Sequence, residues 1–186
     1  MSLGLPLGIL AAILIWIALT YNALVRIRQQ VRESWSGIDT ELKRRYDLIP
    51  NLVETVKGYA AHEQQVFTAV TAARAKALQS QGSPEAQAQE EKALVASMKQ
   101  LLAVAENYPD LQASAHYLSL QEELANTEDR IQAARRFFNA NVRDLNTRIQ
   151  VFPSNLVASL FSFTPAEFFE VESSVVRRVV DVDFND

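Results

Sequence analysis

Metal-dependent hydrolysis is the first chemistry the residue types raise, because His62-Glu63 opens the pattern H-E-x-x-H that sets two imidazoles around zinc on one helix face. Val66 stands where the second histidine belongs, so one ligand is left. His116 is the other histidine, and neither has the glutamate three residues earlier that a di-iron bundle needs: Tyr59 and Ala113 fill those positions. The adjacent acids Glu90-Glu91, Glu122-Glu123 and Glu128-Asp129 diverge by about 100° on a helix and are read as solvated faces, not cation cages. Cysteine is absent, which excludes thiolate nucleophiles, thiolate metal sites, disulfides and lipoprotein processing. The five glycines, Gly4, Gly8, Gly37, Gly58 and Gly82, form no phosphate-cradling loop. We therefore expect no catalytic residue, no metal and no cofactor.

Lys43-Arg44-Arg45 is the one basic cluster. Cations in the last turn of a helix complement its dipole, and Asp39, Glu41 and Asp47 lie within reach, so the expected role is structural. Outside the C-terminal stretch the charges balance, which argues against nucleic acid as a partner.

What must position everything else is a membrane span. The first 25 residues carry no charged side chain, and the run from Leu3 to Leu24 is almost wholly apolar. At 1.5 Å per residue it reaches across the roughly 30 Å hydrocarbon core unaided. No basic stretch precedes it, it exceeds the usual apolar region of a signal peptide, and Ala18-Leu19-Thr20 is a poor cleavage site, so an anchor over 1–25 is expected. Arg26, Arg28 and Arg32 follow directly, which by the positive-inside rule puts the N-terminus outside and the body in the cytoplasm.

The body, residues 26–164, is rich in Ala, Leu, Gln, Glu and Arg and poor in Gly, a composition for long helices. Helical spacing predicts an all-α fold in which the span continues into an elongated antiparallel four-helix bundle. Val25, Val31, Trp35, Ile38 and Leu42 form the first stripe, with that helix ending near Tyr46. A second helix opens at Asp47-Leu48-Ile49-Pro50, Pro50 being tolerated in its first turn, and runs to the loop at residues 79–84. A third covers about 85–107 and a fourth about 109–151, the last carrying Leu124, Ile131, Phe138, Leu145 and Phe152 at heptad spacing. Alternating directions place Lys43-Arg44-Arg45 at the membrane-distal end and return Phe152 toward the lipid.

The stretch after Phe152 is uncharged to Phe163. Leu156, Leu160, Phe161, Phe163, Phe168 and Phe169 are therefore candidate membrane contacts, the alternative being a cap on the bundle core. With no basic residue between Gln150 and Val176, contact with lipid is expected to be hydrophobic and nearly independent of salt. Residues 165–186 hold six acids against Arg177 and Arg178, which is the whole formal net charge of −4, and are read as a mobile acidic tail.

The runs Trp35-Ser36-Gly37-Ile38-Asp39, Leu42-Lys43-Arg44-Arg45-Tyr46-Asp47-Leu48-Ile49-Pro50-Asn51-Leu52-Val53 and Val56-Lys57-Gly58-Tyr59-Ala60 resemble the LemA family of membrane-anchored helical proteins. The likeness continues through Tyr108-Pro109-Asp110-Leu111, Thr127-Glu128-Asp129-Arg130-Ile131, Ala134-Arg135-Arg136-Phe137-Phe138-Asn139 and Phe152-Pro153-Ser154-Asn155. Two usual tyrosines of the fourth helix are Phe138 and Leu145 here, which keeps the packing and removes two hydroxyls. The resemblance implies a single-pass cell-membrane protein and no established reaction. It marks Lys43, Arg44, Arg45, Asp47, Pro50 and Asn51 as motif residues for interaction. The resulting expectation is a non-enzymatic membrane-anchored scaffold or adaptor that contacts lipid and other membrane proteins, an integral-membrane metalloprotease among them, and self-associates along its seam. The alternative is an oligomer-forming membrane-remodelling or lattice protein that binds lipid through residues 152–169.

Overall fold

The computed structural model describes residues 4–80 and 82–170. Leu3 and the residues from 171 onward, including most of the acidic stretch, lie outside that range. Every described element is a helix: α1 (Gly4–Lys57), α2 (Gln64–Gln79), α3 (Pro84–Ala105), α4 (Pro109–Gln112), α5 (Ala115–Gln150) and α6 (Ser154–Leu160). The all-α class expected from composition is the class observed.

α1 is 54 residues long, about 80 Å at the helical rise. Its apolar beginning is uncovered by the rest of the chain and is long and apolar enough to cross a membrane. From Leu24 onward a buried stripe appears at three- and four-residue spacing through Ile27, Val31, Ile38, Leu42, Ile49, Leu52 and Val56. α5 packs along it in the opposite direction, setting Trp35 against Phe138 at 5.3 Å and Asn141 beside the Gln30 carbonyl. Heptad residues Leu124, Ile131, Phe138 and Leu145 are all buried. α2 and α3 form a second antiparallel pair that closes the distal half of the same core through Phe67, Val70, Ala77, Leu94 and Leu101.

Two expected boundaries were misplaced. α1 does not end at Tyr46 but runs through Pro50 to Lys57. Proline at 50 withholds the N–H that would serve the Tyr46 carbonyl. Arg74 of α2 supplies the substitute, its Nε donating to that carbonyl at 2.6 Å. The reversal comes instead at Gly58, the poorest helix former nearby after proline, where Ala60 turns into the core. The basic cluster thus sits midway along the part of α1 beyond the apolar run, not at the distal end.

The fourth helix is likewise split. Pro109 begins a single turn that buries Leu111, and Ser114 then starts α5 with its hydroxyl accepting from the Tyr117 N–H. At the other end α5 stops at Gln150, within a residue of the expected end, and Phe152 leaves the seam and is exposed.

Candidate functional site

Two groups of residues stand out from the helical packing, one inside the bundle and one at the end where the apolar run enters it. The inner group is built on the motif segment of α1. Lys43 and Arg44 face solvent, pairing with Asp39 at 2.7 Å and Glu41 at 3.5 Å as a structural role predicts. Arg45 does not: it is in phase with Ile38, Leu42, Ile49 and Leu52, and its side chain is 2% exposed. It forms an ion pair with Glu91 of α3, 0% exposed, and a 2.8 Å pair with Glu128 of α5, 40% exposed. The Tyr46 hydroxyl donates to Glu91 as well. Gln87 closes the network, its Nε2 reaching the Tyr46 hydroxyl and Glu91 at 3.0 Å and the Ala77 carbonyl at 3.2 Å. Burial pushes the Tyr46 phenol up to about 12 despite the opposing pull of Arg45, so it stays a neutral donor.

The expectation that Glu91 lies on a solvated face is therefore wrong, and Arg45 meets its acids on other helices, not in the neighbouring Asp39, Glu41 and Asp47. A signal was present in the sequence: Glu91 falls on the stripe of Ala88, Leu94, Leu101 and Ala105. Glu90 is one residue out of phase and remains partly solvated. Asp47, Pro50 and Asn51 are exposed, and among them only Pro50 has a structural consequence, the carbonyl handed to Arg74. The arrangement ties α1, α2, α3 and α5 together where they meet. Groups from four elements join in one network around a buried cation, which fixes their register.

The outer group begins where α5 ends. The Ser154 hydroxyl bridges the Arg148 and Val151 carbonyls at 2.7 and 2.9 Å, starting α6 at once. Val157 and Ala158 of α6 pack on Leu24, with Trp16, Ile17, Tyr21 and Val25 around them. Helix α6 thus lies alongside the last turns of the apolar run. It ends with Ser162 in the left-handed region (φ 54) and the Phe163 N–H on the Ala158 carbonyl at 2.9 Å, a closure that reverses the chain. Phe163 turns inward, buried beneath Tyr21 and Arg28.

Residues 164–170 then run back along α5 as an extended strap. Asn146 holds both backbone groups of Ala166 (2.8 and 2.9 Å), and Asn139 holds both of Phe169 (3.0 and 3.1 Å). Seven residues of helix and three of extended chain both span roughly 10 Å, which is why two asparagines one heptad apart match two amides three residues apart. Phe169 is fully buried against Trp35 at 5.4 Å.

Of the candidate membrane contacts, then, Phe163 and Phe169 are corrected to core residues and Phe168 packs partly against the core. Leu156 and Leu160 remain exposed on α6, as do Phe161 just after it and Phe152 before it. Leu24, taken as the last lipid-facing residue of the span, is covered by α6. The first residues of the stretch read as a tail are docked on α5 through Ala166 and Phe169, by asparagine side chains that no local pattern announces, and the rest of it lies outside the described residues.

His62 and His116 stand on separate parts of the fold, and among the described residues no group of three His, Asp or Glu could hold a metal ion.

Comparison with known proteins gives three informative relatives. Magnetosome protein MamQ of Magnetospirillum gryphiswaldense is 26% identical over 185 residues, covering 86% of this chain and 68% of that one. Magnetosome protein MamQ 2 of Paramagnetospirillum magneticum is 27% identical over 175 residues, covering 81% and 64%. Protein LemA of Metamycoplasma hominis is 29% identical over 163 residues, covering 87% and 73%. The chain spans about two thirds of the length of the MamQ proteins. Residues 34–184, which contain the Arg45 network, the strap asparagines and α6, match the LemA family over most of the sequence, and the chain belongs to that family.

Proposed function

We propose that this protein is a non-enzymatic, membrane-anchored scaffold. In this reading α1 crosses the bilayer once, with the N-terminus outside and the bundle in the cytoplasm, and α6 lies in the interface beside it. The observation that carries the proposal is the continuity of α1: the helix able to cross the membrane enters the bundle unbroken, and α6 grips its last apolar turns from Trp16 to Leu24. A rod fixed at two points keeps one angle to the membrane, which suits presentation of polar helix faces to another membrane protein. The family resemblance suggests an integral-membrane metalloprotease or another envelope quality-control component as that partner. Crosslinking in intact membranes followed by purification of the full chain should recover a reproducible membrane-protein partner, and recovery of none refutes the scaffold.

The exposed Leu156, Leu160 and Phe161 favour a second reading, in which the protein assembles into a lattice on lipid through α6. A fluorophore at Ser159, exposed on the same helix, should be reached by quenchers placed in the lipid interface. Quenching from water alone removes the lipid contact, and a reconstituted chain that stays monomeric at high density removes the lattice.

A further inference from the structure

The antiparallel packing of α1 and α5 brings together cations that are far apart in sequence. Asn141 lies beside Gln30, so at 1.5 Å per residue Arg143 stands about level with Arg28, and Arg148 about level with Ala23. Arg26, Arg28 and Arg32 of α1 and Arg143 and Arg148 of α5 therefore occupy one narrow zone just past the apolar run. Acids at that level are Glu33, Asp144, Glu167 and Glu170, and only Asp144 engages one of the five, Arg148 at 3.0 Å. Among the described residues Arg26, Arg32 and Arg143 make no ion pair, and the Nε of Arg28 is buried without a hydrogen-bond partner while its guanidinium lies over Phe163 at 4.8 Å. Arg148 and Ser154 also line a groove of about 310 Å³ whose remaining walls are Leu19, Thr20, Ala23 and Leu24.

We infer that this collar binds the anionic headgroups of the leaflet from which α1 emerges, with Arg148 at the head of a groove that takes a lipid acyl chain along Leu19 and Ala23. Arg26 and Arg28 point about 200° apart on the helix, so the positive charge encircles the α1–α5 pair. A leaflet surrounds a helix in that way, whereas a docked protein covers one side. The groove has the matching amphiphilic order, with a cation and hydroxyl at one end and an apolar floor continuous with the span. This replaces the expectation of salt-independent contact, which counted basic residues along the sequence after Gln150 and missed those that α5 carries back to the membrane. The inference rests on α1 being a membrane span, as proposed above.

The test uses the full chain reconstituted in bilayers of equal phosphatidylglycerol and phosphatidylcholine, released in mild detergent and weighed by native mass spectrometry. Phosphatidylglycerol should be retained over phosphatidylcholine by roughly fivefold or more, the effect of one basic side chain at an anionic surface. R143Q/R148Q should lower the preference severalfold, R148K should keep it, and K99Q, removal of a cation on distal α3, should leave it unaltered. Equal retention of the two lipids by the natural sequence, an undiminished preference in R143Q/R148Q, or loss of the preference in excess inorganic phosphate would each overturn the inference. Flotation with the vesicles separates the two readings: a chain that fails to float refutes the span, and one that floats without preference refutes the collar alone.

Discussion

Replacing Glu91 by alanine tests the buried network most directly. The substitution leaves Arg45, 2% exposed, with the half-solvated Glu128 as its one carboxylate, and takes the acceptor away from the Tyr46 hydroxyl and Gln87. Breaking a buried ion pair from one side costs about 3–5 kcal/mol, because the surviving charge remains out of water. Each buried donor left unpaired would cost about 1–3 kcal/mol, but these losses share one partner and do not add, so about 4 kcal/mol is the expected total. At an unfolding slope near 2 kcal/mol/M, the urea midpoint of the full chain in detergent, followed by circular dichroism, should fall by about 2 M. E90A, one residue away and out of phase with the core, should stay within about 0.5 kcal/mol. The decisive variant is R45M/E91L, which removes both charges and fills the space. It should be more stable than E91A or R45M alone, since an apolar pair of similar volume replaces a buried ion pair at little or no cost. If E91A matches E90A, or if the double variant shows the summed loss of the two singles, the network does not hold the bundle in the way argued.

Alkaline conditions should expose the Tyr46 phenol. Its proton is held to about 12 in the fold and released near 10 in the unfolded chain, so its contribution is intact below pH 10 and is lost as pH rises through 12, by up to about 3 kcal/mol. Unfolding free energies measured across that window should flatten in large part in Y46F, the remainder belonging to Tyr117, which burial raises in the same direction. Arg74→Met should destabilise by about 1–3 kcal/mol by stranding the Tyr46 carbonyl, and by much less when Pro50→Ala restores a backbone donor; additive losses in that cycle would show that Arg74 acts elsewhere. Phe138→Ala should cost about 3–5 kcal/mol through its cavity beneath Trp35 and Phe169, read as a shift in the denaturation midpoint. A cysteine introduced at Ser83 should be shielded from impermeant thiol reagents in intact cells, and labelling without lysis would reverse the proposed orientation.

Sequence alone determined the helical class, the apolar span and the buried heptad of α5, because each is a period or a length within one continuous segment. Leu124, Ile131, Phe138 and Leu145 needed no knowledge of what they would meet. Tertiary structure decided which breakers break and which charges are buried. Pro50 sits inside a helix because Arg74, remote in sequence, serves the carbonyl it frees, whereas Gly58 has no such rescue and ends the helix. Glu91 and Arg45 occupy apolar stripes, and whether such a position repels a charge or accepts it depends on the facing helix; here Arg45 meets its two carboxylates on α3 and α5. The strap is decided the same way, since Asn139 and Asn146 resemble any exposed amides until an extended segment of matching pitch lies against them. Local periodicity reports only that a side chain is buried or exposed, and the free energy of a buried polar group is set by the partner that folding brings to it.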